Sequence, residues 1–132
     1  DDFRRAANIL ALGQLHFDLQ AANSYATFRI NFDPAHTGAS RDLSGLDPLV
    51  FGLESAQAES VKIEIEDASG NKAAFCASDV DPSRSYYEFL NAMATSRGID
   101  MSHVKQLSLT VDPYSITAGN EIGDIFLELG LS

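Results

Sequence analysis

The stretch Val61-Lys62-Ile63-Glu64-Ile65-Glu66-Asp67-Ala68-Ser69-Gly70-Asn71 decides the reading of the fold. Val61, Ile63 and Ile65 alternate with Lys62, Glu64 and Glu66, which gives an extended chain one apolar and one charged face. Asp67 to Asn71 is then a tight hairpin connection, with Gly70 available for a positive φ. The apolar stretch Ala73 to Ser78 supplies the returning strand.

The same alternation recurs outward from this hairpin. Leu15, Phe17 and Leu19 alternate with His16, Asp18 and Gln20, and Phe28, Ile30 and Phe32 with Thr27, Arg29 and Asn31. Leu107, Leu109 and Val111 alternate with Ser108, Thr110 and Asp112. Pro48 to Leu53 and Asp124 to Leu129 read as further strands. Ala21 to Ser24 joins the first two strands, and Asp33-Pro34 stops the second. Short strands at this spacing predict an all-β, antiparallel β-sandwich of jelly-roll type with one short helix.

The helix is expected over Tyr86 to Arg97, because Tyr86, Phe89, Leu90 and Met93 follow helical spacing. Ser85 and Glu88 form a capping box in this reading, and Gly98 is the stop. Its aromatic stripe is read as facing the core. In the opening Asp1 to Leu12, Phe3, Ala6, Ala7 and Leu10 also have helical spacing; this segment is a linker remnant or an edge element. Residues 1–132 read as one domain, with no internal repeat.

The chain has 132 residues, 45% of them hydrophobic, enough for a core without disulfides or metal. Its 19 acidic and 9 basic side chains give a formal net charge of -10. That balance argues against nucleic acid and against anionic membranes, and it suits a neutral glycan or a basic protein. No apolar run approaches a membrane span. No basic n-region with an apolar stretch opens the sequence, so the signal of a secreted parent would lie outside it. The single cysteine, Cys76, lies in an apolar stretch and is read as a small core residue.

Most catalytic signatures are absent. There is no nucleophile elbow and no phosphate-binding loop. His16, His36 and His103 are far apart and are read as surface or strand residues. Asp79-Val80-Asp81-Pro82-Ser83 begins like a calcium-binding loop, but Arg84 and Leu90 occupy the positions that need glycine and glutamate; a loop with helix-capping residues is the better account. No carboxylate pair is singled out for hydrolysis, and the chain is read as non-enzymatic.

In an eight-stranded jelly roll the second, fourth, fifth and seventh strands share a sheet. Its outer face would carry Tyr25, Thr27, Arg29 and Asn31, then Lys62, Glu64 and Glu66, then Gln106, Ser108, Thr110 and Asp112. Amides, carboxylates and guanidinium groups there can pair with vicinal sugar hydroxyls, and Tyr25 can stack on a pyranose ring. A solvated sheet face is polar in any case, and lysine–glutamate cross-strand pairs are ordinary stabilisers. The chain has no tryptophan, the strongest platform for sugar stacking.

Four phrases together resemble the galactose-binding-like jelly rolls that serve as carbohydrate-binding modules in bacterial glycoside hydrolases. They are Asp42-Leu43-Ser44-Gly45-Leu46-Asp47 before Leu49-Val50-Phe51, the Val61 to Asn71 hairpin, Ile99 to Leu107, and Ile122-Gly123-Asp124-Ile125. The resemblance implies a sheet that binds oligosaccharide or polysaccharide, an extracellular or periplasmic location, and sometimes a structural calcium ion away from the sheet. It also implies neighbouring domains in the same polypeptide. Two positions depart from the family. Tyr86-Tyr87-Glu88-Phe89 stands where a tryptophan-bearing strand is usual, and the final aspartate pair is reduced to Asp124.

The expected function is thus a non-catalytic carbohydrate-binding module. Ligand would lie over Tyr25, Arg29, Asn31, Lys62, Glu64, Gln106 and Thr110, with Arg29 and Gln106 donating, Glu64 accepting and Tyr25 stacking. No cofactor is required for this. The alternative is a structural or protein-interaction domain of a larger surface or assembly protein.

Overall fold

The computed structural model describes residues 9–45 and 48–131. Eight strands run in the order β1 (Ile9–Asp18), β2 (Ala26–Asn31), β3 (Leu49–Glu54), β4 (Val61–Asp67), β5 (Lys72–Ala77), β6 (Ser85–Phe89), β7 (Val104–Val111) and β8 (Ile122–Leu131). One helix, α1 (Asn91–Ser96), lies between β6 and β7, and a 3-10 turn spans Pro113–Ser115. The strands form two antiparallel four-stranded sheets. The front sheet has the order β2-β7-β4-β5 and the back sheet β1-β8-β3-β6. The fold is the antiparallel β-sandwich expected from the alternation.

The inward sets meet between the sheets. Ile63, Ile65, Leu107 and Leu109 of the front sheet and Phe17, Phe51, Leu53, Ile125 and Leu129 of the back sheet are all at most 2% exposed. At one side Phe75 of β5 stacks on Phe89 of β6, with ring centroids 4.5 Å apart, and so joins the two edge strands across the core.

The β4–β5 hairpin closes as its residues require. Gly70 takes φ +89°, a backbone region that costs glycine little. Asp67 is fully buried and its carboxylate organises the turn. It accepts from the backbone N–H of Ser69 and Asn71 and from the Asn71 side-chain amide.

The helix expected over Tyr86 to Arg97 is corrected. Ser85–Phe89 is strand β6, paired with β3 from Leu49↔Phe89 to Leu53↔Ser85. Ser85 and Glu88 therefore cap nothing, and the preceding Asp79 to Ser83 loop leads into a strand. The local helical spacing competed with an alternation of Ser85, Tyr87 and Phe89 inward against Tyr86 and Glu88 outward. Backbone pairing with β3 decided between them. Within the expected span only Asn91–Ser96, α1, is α-helical, and Gly98 is its stop at φ +85°. Gly98 N–H donates to the Thr95 carbonyl and Ile99 N–H to the Ala94 carbonyl, the two bonds of a Schellman cap.

Residues 9–12 belong to β1, an edge strand paired with β8. The helical spacing noted at Phe3, Ala6 and Ala7 lies outside the described residues.

Candidate functional site

The front sheet places the second, fourth, fifth and seventh strands together, and its register sets the outward side chains in rows. One row reads Thr27, Thr110, Lys62, Cys76 across the sheet; the next is Arg29, Ser108, Glu64, Ala74; the third is Asn31, Gln106, Glu66, Lys72. Six of the seven candidate residues thus share three adjacent rows. The seventh, Tyr25, stands just before β2, is 71% exposed, and follows the same alternation toward this face.

Several of these groups are already engaged. Thr27 and Thr110 share a hydrogen bond between their hydroxyls at 3.0 Å. The Gln106 amide donates to Glu66 Oε1 at 3.0 Å. Asn31 Oδ1 accepts the Asp33 N–H at 2.8 Å, so its carbonyl serves the turn after β2. Lys62 Nζ lies 3.8 Å from Glu64 Oε2, a loose and exposed pair. Arg29 is exposed and has no hydrogen bond or ion pair to another described residue. It is the candidate whose donors are all available to a ligand.

Beyond the Lys62 row the face runs into a cleft of about 560 Å³ between two tyrosines, Tyr25 and Tyr114, with Lys62, Thr110 and Asp112 also lining it. Tyr114 is 94% exposed. A neighbouring hollow of about 360 Å³ continues past Lys62 and Tyr114 to Ala74 and Cys76. Another hollow, of about 540 Å³, is lined by Glu59, Asp79 and Asp81 and has no aromatic wall. The tyrosine-walled cleft combines flat apolar faces with polar groups in the way ligand sites do.

Tyr114 was not among the residues singled out by pattern. It is presented by the 3-10 turn, where the Asp112 carboxylate accepts the Tyr114 N–H at 2.9 Å and Pro113 occupies the first position. Asp112-Pro113 is a readable turn-start signal. What it could not convey is that the turn stands beside Tyr25.

The assignment of Cys76 to the core is also corrected. Its thiol is exposed on the outer face of β5, opposite Lys62. The run Ala73 to Ala77 is apolar throughout, so its composition hid which side faces solvent. His16, His36 and His103 are exposed.

Among the described residues, no group of three or more His, Cys, Asp or Glu is placed to hold a metal ion. Asp124 Oδ1 is approached instead by His16 Nδ1 at 3.0 Å and accepts from Gln14 Nε2 at 3.3 Å. These neighbours do not fit a calcium cage at the last strand.

No family model and no curated protein matches this sequence. Solved structures do share its fold. An exo-beta-agarase superimposes with a TM-score of 0.63 at 11% identity over 90% of this chain and 20% of its own. The family 30 carbohydrate-binding module of the cellulosomal cellulase Cel9D-Cel44B of Clostridium thermocellum gives 0.57 at 13% identity, covering 92% of this chain and 73% of the module. A further agarase gives 0.56 at 13% identity over 92% of this chain and 22% of its own. The chain thus spans about a fifth of the agarases it matches and has the jelly-roll fold of carbohydrate-binding modules.

Proposed function

We propose that the domain is a non-catalytic carbohydrate-binding module, holding an oligosaccharide or polysaccharide against the front sheet. The observation that carries this is the cleft between Tyr25 and Tyr114, which opens onto the row of Arg29, Ser108 and Glu64. In this reading the tyrosines supply faces for a pyranose ring, Arg29 donates to hydroxyls and Glu64 accepts. Gln106 keeps one amide N–H and its carbonyl for ligand while bonded to Glu66. Lys62 and Thr110 form the cleft floor, and Asn31 contributes its amide N–H groups at the far end.

The face carries three cations, Arg29, Lys62 and Lys72, and three carboxylates, Glu64, Glu66 and Asp112. That local balance suits a neutral glycan despite the acidic chain. Affinity is modest, because exposed polar groups must shed water before they bind. No metal is required. As an accessory module of a larger extracellular or periplasmic glycoside hydrolase, the domain would bring an attached catalytic unit to its polymer.

The test is retention on a glycan panel, with and without chelator. The agarase and cellulase neighbours make agarose and cellulosic glucans its first members. Retention that is lost in Tyr25→Ala and Tyr114→Ala supports the site. Absence of retention across the panel refutes the reading, and retention unaffected by both variants refutes the location.

A further inference from the structure

The exposed large hydrophobic side chains fall into three places: Tyr25 and Tyr114 at the cleft, Leu90 and Met93 at α1, and Leu12, Ile122 and Phe126 on the outer face of the back sheet. The last group is not used by the sugar reading. Leu12 of β1 and Ile122 and Phe126 of β8 are 66%, 48% and 42% exposed. Strand alternation aims all three outward, since Leu15, Phe17, Ile125, Leu127 and Leu129 of the same strands pack against the core. The register places Gln14 opposite Phe126, and Leu12 two residues along, so Leu12 and Phe126 are diagonal neighbours.

The charges around this stripe differ in kind from those of the front face. Asp18, Asp124 and Glu54 project on the same side, and Glu128, on that side too, is buried. The fixed cation beside them, Arg84, is held between Glu54 at 2.7 Å and Glu128 at 3.3 Å. Among the described residues, the carboxylates of this face thus outnumber its one guanidinium, which is already paired.

We propose that the outer face of the back sheet is a docking surface for a basic protein surface with an apolar centre. Leu12, Phe126 and Ile122 would supply the contact area, and Asp124, which lies between Ile122 and Phe126 on the same strand, and Asp18, opposite Ile122, would meet lysine or arginine. Charge selects this occupant over the others. A second copy of the chain would bring two acidic faces together, since a twofold interface repeats the same patch on both sides. An anionic bilayer or nucleic acid is repelled. Two of the three apolar side chains, Leu12 and Ile122, lack the flat face that stacks on a sugar ring. This surface is on the opposite side of the sandwich from Arg29 and does not depend on glycan binding.

The test uses the 15N-labelled domain and two probe peptides of alternating sequence, one Lys-Leu and one Glu-Leu, followed by amide chemical-shift perturbation. The expected result is saturable perturbation of β1 and β8 by the Lys-Leu peptide alone. It should weaken at least about fivefold in Phe126→Ser and weaken in high salt. Asp124→Lys, which leaves the apolar stripe intact, should also weaken it. Equal response to both peptides, perturbation confined to the front face, or concentration-dependent self-association would overturn the proposal. Thermal melts of both variants separate loss of docking from loss of fold.

Discussion

Asp67 Oδ2 accepts the backbone N–H of Asp100 at 3.0 Å, so the hairpin after β4 is tied to the chain leading into β7. Ala68 N–H also donates to the His103 carbonyl, and Leu43 N–H to the Met101 carbonyl. Three of the four phrases that resemble galactose-binding-like modules therefore meet at one end of the sandwich. Burial opposes ionisation of Asp67, but the N–H of Asp100, the Asn71 amide and the N–H groups of Asn71 and Ser69 outweigh it and hold the carboxyl below its ordinary range.

Asp67→Ala should cost about 2–4 kcal/mol, because it orphans several donors that bond a charged acceptor. Urea unfolding measures this, and a cost below the uncertainty of the midpoint would refute the account. The pH sign follows from the lowered folded-state pKa. The stabilisation is complete above the unfolded-state value of about 3.9 and is lost as pH falls toward the folded value, because the unfolded chain takes up the proton first. Stability below about pH 5 should therefore fall less steeply in Asp67→Asn than in the parent.

Gly13 lies on the inner face of β1, where a Cβ would meet the Phe28 ring at 2.5 Å. Gly13→Ala should force β1 or Phe28 outward at a cost of about 1–3 kcal/mol. Calorimetry would read this as a lower melting temperature, and an unchanged one would mean that Phe28 rotates away freely.

Arg29→Ala should change stability by less than about 0.5 kcal/mol, since the side chain has no described partner to lose. Under the proposed function, its effect should fall on glycan affinity alone. A variant that melts early would instead reveal a structural role.

Cys76 lines the hollow that adjoins the tyrosine cleft. Its thiol should react with a colorimetric disulfide reagent in the native state without denaturant. A bound saccharide should slow that reaction, whereas one bound elsewhere would leave the rate unchanged.

Much of the site was legible because side-chain direction in a strand alternates whatever the partner strand is. Thr27, Arg29 and Asn31, Lys62 and Glu64, and Gln106 and Thr110 could be put on one face from their own segments. Their engagement could not. Asn31 is bonded to Asp33, Gln106 to Glu66 and Thr110 to Thr27, and two of those three bonds depend on the register between strands far apart in sequence.

By itself the sequence determined the strand alternation, the Asp67 to Asn71 hairpin, the Gly98 stop and the polar make-up of the front face. Each depends on side-chain periodicity or on a backbone angle that one residue permits. Only the tertiary structure decided that Ser85–Phe89 is a strand, that Cys76 faces solvent, that Tyr114 stands by Tyr25, and that Leu12, Ile122 and Phe126 are exposed on one face of the back sheet. Those outcomes turn on which distant segment pairs with which, because β3 satisfies the backbone of β6, and strand register, not local pattern, brings side chains from different segments together.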